Sequence, residues 1–171
     1  SRVLSIARLS VQKGLDLALP AVASLREKGL EFRWYIIGVG PEEAALQEQA
    51  RSLGIEQDVC FLGEQANPYP FLRACDVYLQ PSRFEGKSIA VDEAMVLCKP
   101  ILLTDFSTAA DQVTSGENGL IVPMTPEGIA EGLEKLLTDG ELRQRFHDAL
   151  EAEDYTNENE IEKVYSLIGS E

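Results

Sequence analysis

The sequence predicts an α/β protein built on an open, doubly wound sheet. Two observations carry this. Short β-rich runs alternate with helical patterns along the whole chain. The strand runs are also mostly continuous apolar segments rather than alternating ones, as expected of strands buried on both faces of a parallel sheet. The 171-residue length suits one domain with a core of its own, and 44% hydrophobic content suits a globular chain.

Taken in order, VLSIA (3–7) reads as a strand and Gly14 to Lys28 as an amphipathic helix. FRWYIIG (32–38) is the second strand. PEEAALQEQARSLG (41–54) reads as a helix with Pro41 in its first turn and Gly54 as its stop. VCFLG (59–63) is the third strand, and a short helix is predicted around Tyr69 to Ala74. DVYLQP (76–81) precedes a helix after Gly86. PILLTD (100–105) and GLIVP (119–123) complete six strands, and helices follow around 126–138, 140–151 and 158–168. The expected fold is therefore a Rossmann-like, mostly parallel six-stranded sheet with helices on both faces. The chain starts abruptly at Ser1-Arg2, and it reads as a single domain, 1–171, excised from a longer protein.

Charge narrows the function classes. The formal net charge is -14, and residues 127–171 alone hold 13 acids against 4 bases. A nucleic-acid binder needs a basic footprint, so that class is excluded. An anionic ligand must find a local positive pocket. No apolar run is long enough to span a bilayer, and no secretory pattern opens the chain. Cys60, Cys75 and Cys98 lack metal-ligand spacing and read as buried thiols in a reducing cytosol.

Ligands of doubly wound sheets bind past the carboxyl ends of the strands. That directs attention to loops 7–14, 38–42, 63–69, 81–88, 105–109 and 123–126. Gly38-Val39-Gly40 follows a strand, but a dinucleotide fingerprint needs a third glycine at position 43, which is Glu43. Both glycines suit a tight turn, and the loop can line a ligand. Gly86-Lys87-Ser88 resembles the end of a phosphate-binding P-loop, whose first glycine would fall at Pro81, so that motif fails. His147, the one histidine, sits on a charged terminal helix and suits a surface or packing role. No metal-binding aspartate cluster is evident, and no cofactor or metal is expected.

RFEGKSIAVDEA (83–94) holds together better. Ser88 fits the N-cap, or the first turn, of the helix beginning near Ile89. Free amides and the dipole at such a helix start favour an anion, and Gly86 lets it approach. Glu93 lies about 7 Å further along the axis, where a carboxylate can accept bonds from a vicinal diol such as a ribose. It equally fits an exposed helix residue beside Asp92. Glu85 lies on the other side of the anion site and can face hydroxyls of a sugar. Arg8 and Lys13, in the loop after the first strand, supply a planar fork and a point charge for a diphosphate. Lys87 offers a third cation or a solvated one.

The ordered set of motifs resembles the carboxyl-terminal, donor-binding domain of retaining GT-B glycosyltransferases of glycosyltransferase family 4. The resemblance rests on Arg8-Leu9 with Lys13-Gly14, the Gly38-Val39-Gly40-Pro41 turn, and Val59, Phe61 and Gly63. It continues through Asp76-Val77, Pro81-Ser82, Glu85 with Glu93-Ala94, Lys99-Pro100-Ile101, and Asn118 to Pro123. It departs at Lys87-Ser88, where many members carry a bulky apolar residue and glycine.

The resemblance implies transfer of a sugar from a nucleotide diphosphate sugar to an acceptor hydroxyl, in polysaccharide or glycoconjugate synthesis. Arg8 and Lys13 would hold the diphosphate, Glu85 would face the donor sugar and Glu93 the ribose. The segment Gly86, Lys87, Ser88 and Ile89 would contact the distal phosphate. The acceptor would bind an amino-terminal half absent from this chain, against which a 158–168 helix would pack. The chain alone is expected to be inactive, and the whole protein cytoplasmic, touching a membrane only through that half. A non-catalytic nucleotide-sugar-binding module, or a sugar-nucleotide epimerase fragment, is the alternative.

Overall fold

The computed structural model describes residues 1–153; the expected 158–168 helix lies outside them. Six strands form one sheet: β1 (Arg2–Ile6), β2 (Arg33–Ile37), β3 (Val59–Phe61), β4 (Val77–Gln80), β5 (Ile101–Thr104) and β6 (Leu120–Val122). Every pairing is parallel, and the order is β3-β2-β1-β4-β5-β6. The order reverses between β1 and β4. Loops leaving these two strands therefore diverge to opposite sides and open a crevice at the carboxyl edge.

Helices cover both faces: α1 (Leu15–Glu27), α2 (Glu43–Ser52), α3 (Tyr69–Ala74), α4 (Ile89–Val96), α5 (Ala109–Gln112), α6 (Pro126–Thr138) and α7 (Gly140–Ala152). Successive strand residues point to opposite faces. Val3, Trp34, Val77, Leu79 and Leu102 join α1, α2 and α6 in one core layer. Leu4, Tyr78, Ile101 and Leu103 join Val91 and Met95 of α4 in the other. Two buried faces are the reason the strands read as unbroken apolar runs.

Two short elements fall in stretches expected to be loops: a 3-10 turn at Val11–Lys13 and the four-residue α5. Both are too short to show a helical period. α1 also runs through Pro20. A proline lacks the N–H that would bind the carbonyl four residues back, here that of Asp16. Gln49 Nε2 on α2 donates to that carbonyl instead, at 3.0 Å.

Candidate functional site

Glu85 sits in the loop between β4 and α4, only 6% exposed. A buried carboxylate must be paired and hydrogen-bonded, and this one is. Its Oε1 accepts from Lys13 Nζ at 2.6 Å, Ser82 Oγ at 2.6 Å and Gln80 Nε2 at 3.0 Å. Lys13 reaches it from the 3-10 turn after β1, across the crevice. The sequence placed Lys13 on a diphosphate and Glu85 on a sugar, as separate contacts; the structure joins them in one ion pair.

The network continues from Gln80, at the end of β4. Its Oε1 accepts from Ser88 Oγ at 3.0 Å and from Tyr78 OH at 3.1 Å. Ser88 is the N-cap of α4 and accepts from the Val91 amide. Gln112 of α5 grips the same residue on both sides. Its Oε1 accepts from the Ser88 amide at 3.0 Å, and its Nε2 donates to the Ser88 carbonyl at 2.9 Å and to Asp92 at 2.7 Å. Ser88 is thus the N-cap that the sequence offered, with its hydroxyl and amide both engaged within the chain. The amides of Ile89 and Ala90, at the first two helical positions, have no intrahelical acceptor by geometry. They are the groups α4 can present to an anion.

The loop is pinned from both flanks. Arg83 places two guanidinium nitrogens on the Asp16 carboxylate at 2.6 and 2.7 Å, and Gln12 Nε2 donates to the Phe84 carbonyl at 3.0 Å. That fork holds the Asp16 carboxyl below its ordinary range, against the opposing effect of partial burial. On the β5 side, Thr108 Oγ1 reaches the carbonyls of Glu85 and Gly86, and Thr104 Oγ1 that of Ser82. Gly86 is exposed, with open space where a Cβ would stand. Lys87 is also exposed and lies 3.0 Å from Asp92, so part of its charge is offset within the first turn of α4.

Arg8 leaves the end of β1 on the other side. It is exposed and lines a cavity of about 540 Å³ with Gly38, Val39, Gly40, Glu64 and Pro68. Among the described residues no acidic side chain pairs with it. Gly38 and Gly40 are required by backbone contact. A Cβ at Gly38 would stand 1.9 Å from the Ala7 carbonyl oxygen, and one at Gly40 2.2 Å from that of Leu9. The lack of side chains there lets the Arg8 loop pack close, where the Ala7 and Leu9 amides donate to the carbonyls of Ile37 and Val39.

Glu93 lies in α4 and accepts from Tyr69 OH of α3 at 2.8 Å. Burial, reinforced by that carboxylate, pushes the Tyr69 phenol up to about 12. Of the sequence-predicted residues, Lys13, Glu85 and Ser88 are joined in one hydrogen-bonded network. Arg8, Gly38 and Gly40 are gathered at the adjoining cavity, and Glu93 is held from α3. Sequence reasoning missed Gln80, Gln112 and the Arg83–Asp16 fork. Gln80 left one signal, a lone amide at the end of an otherwise apolar strand; Gln112 left none.

The cysteines are free thiols, and burial raises Cys75 to about 12, which suits packing rather than nucleophilic chemistry. No helix among the described residues is long and apolar enough to cross a membrane.

Residues 1–152 match the family model for glycosyl transferases group 1. An uncharacterized glycosyltransferase of Haemophilus influenzae is 32% identical over 170 residues, 97% of this chain and 48% of that protein. Alpha-D-kanosaminyltransferase of Streptomyces kanamyceticus is 29% identical over 148 residues, 84% of this chain and 38% of that protein. The chain spans less than half of each of these relatives. Among solved structures, Anabaena HepE in complex with UDP and glucose superposes with a TM-score of 0.84 at 22% identity, over 99% of this chain and 48% of that one. The carboxyl-terminal domain of a glycosyl transferase group 1 protein (LpcC) from Francisella tularensis superposes at 0.77 and 23% identity, over 87% of this chain and 82% of that one. These likenesses establish the fold.

Proposed function

The chain belongs to the glycosyl transferases group 1 family, and on that premise we propose that it is the donor-binding half of a retaining, family 4 glycosyltransferase. In the whole protein it would present a nucleotide diphosphate sugar to an acceptor hydroxyl held by an amino-terminal half. Polysaccharide or glycoconjugate assembly is the setting that fits; a putative colanic acid biosynthesis glycosyltransferase of Salmonella typhimurium is 32% identical over 88% of this chain.

One observation carries the reading. A lysine is held beside the amino terminus of α4 by a carboxylate that is itself tied, through Gln80, to the helix cap. As the bond between sugar and diphosphate breaks, negative charge grows on the leaving group. Lys13 and the Ile89 and Ala90 amides are a held charge and fixed dipoles suited to stabilise it without reorganisation at the moment of reaction, and Arg8 adds a second positive charge from the adjoining cavity. Glu85 holds Lys13 in place and faces the donor sugar. Glu93, braced by Tyr69, accepts the ribose hydroxyls. No metal or covalent nucleophile enters this scheme.

The test is an NMR titration of the chain with uridine, guanosine and adenosine diphosphates and their sugars. Saturable shifts are expected at Arg8, Lys13 and residues 86–90. Glu93→Ala should weaken nucleoside diphosphate binding while leaving inorganic pyrophosphate unaffected. Absence of binding by all three diphosphates, or an equal loss of pyrophosphate in the variant, contradicts the assignment.

A further inference from the structure

We propose that Gln80 is a positioning residue that locks the Lys13–Glu85 pair and the cap of α4 into one preassembled unit. The proposal rests on the donor-site reading above and extends it to a strand residue that no motif marks. Gln80 is 3% exposed, so its polar atoms must be satisfied inside the chain. All of its side-chain hydrogen bonds go to Glu85, Ser88 or Tyr78. Its Nε2 donates to Glu85, and its Oε1 accepts from Ser88 and Tyr78.

The amide has a direction. Turned over, its carbonyl would face the Glu85 carboxylate, acceptor against acceptor. Glu85 therefore fixes which end of the amide faces Ser88. In return Gln80 fixes the carboxylate that anchors Lys13. An apolar side chain of the same length fills the volume and fixes neither.

The charges around it define the test. Glu85 bonds Gln80 directly, with the Tyr78 phenol alongside; Lys13 sits on the same Glu85 oxygen, and α4 carries Glu93, paired with Tyr69, and Asp92, paired with Gln112 and Lys87. Gln80→Glu keeps the volume but sets a second carboxylate against Glu85. Two carboxylates at that separation share a proton. Above neutrality the unit then carries one extra negative charge beside the phosphate site; as pH falls, the shared proton restores a donor at position 80.

The experiment measures UDP affinity of the 171-residue chain and of its Gln80→Glu and Gln80→Leu variants between about pH 5 and pH 8, alongside the NMR titration of the Glu85 side-chain carbon. For Gln80→Glu, UDP binding is expected to fall about tenfold or more at pH 8 and to recover toward pH 5, with Glu85 titrating higher than in the parent. Gln80→Leu should lose affinity to a pH-independent extent. If Gln80→Glu binds like the parent at pH 8, or its loss is the same at every pH, the positioning role is overturned. If the parent binds no nucleoside diphosphate, the donor reading fails, and the Glu85 titration still decides the role of Gln80. An unchanged Glu85 titration in both variants then rejects it.

Discussion

Arg83 closes both terminal guanidinium nitrogens on the carboxylate of Asp16, 67 residues earlier in the chain. This fork bolts the loop carrying Glu85 to the first turn of α1, and its consequences are measurable. Asp16 has its carboxyl held below the ordinary value of 3.8, chiefly by the Arg83 hydrogen bond. A depressed folded-state pKa contributes stability that is present above the unfolded value and is lost as pH falls through the folded one. Arg83→Ala should therefore lower Tm at pH 6 and make progressively less difference below about pH 4. Both side chains are about one-third exposed, so the effect is screened to about 1 kcal/mol or less. A Tm difference that does not shrink on acidification contradicts the pairing.

Lys13→Met should act on stability and binding together. It leaves Glu85 buried with its charge facing two remaining donors, at a cost of about 3 kcal/mol, read from urea unfolding. Adding Glu85→Gln removes the orphaned charge and should recover part of that cost. Nucleoside diphosphate affinity should stay low in the double variant, because the cation is still missing. Recovery of affinity in the double variant would show that Lys13 serves only to neutralise Glu85.

The Tyr69–Glu93 bond makes a spectroscopic prediction. Glu93→Gln removes the negative charge but not the burial that contributes most to the raised phenol. Tyr69 should then titrate below about 12 yet still above the ordinary 10.0, followed by NMR of the ring carbon. A full return to 10.0 would assign the whole effect to the carboxylate.

Gln49 and Pro20 should be coupled. Gln49→Ala strips the Asp16 carbonyl of its donor, costing about 1 kcal/mol. Pro20→Ala restores an N–H able to serve the same carbonyl within the helix. In that background Gln49→Ala should cost little. Additive effects in the four-way comparison would mean that the carbonyl does not depend on Gln49.

Much of this was legible in the chain. Each of the six strands lies within about a residue or two of the expected position; burial on both faces writes the unbroken run most plainly in β4 and β5, buried at every position, while β6 is only partly buried. The helix expected around 126–138 is α6, Pro126–Thr138. The loops at the carboxyl ends of β1 and β4 were indicated as the site, since the strand–helix rhythm implies a doubly wound sheet. The 3-10 turn and α5 were not, being shorter than one period of the signal that reveals helices.

The sequence by itself thus determined the layers, the direction of the strands and the chemical types at the crevice, because these depend on neighbours a few residues apart. It did not determine that Lys13 and Glu85 share a proton-donating contact, that Gln80 bridges Glu85 to Ser88, or that Gln112 grips the helix cap. Lys13 and Glu85 stand 72 residues apart, and they meet only because β4 adds beside β1 rather than beside β3. Strand order places them, and the penalty for burying an unpaired carboxylate holds them there.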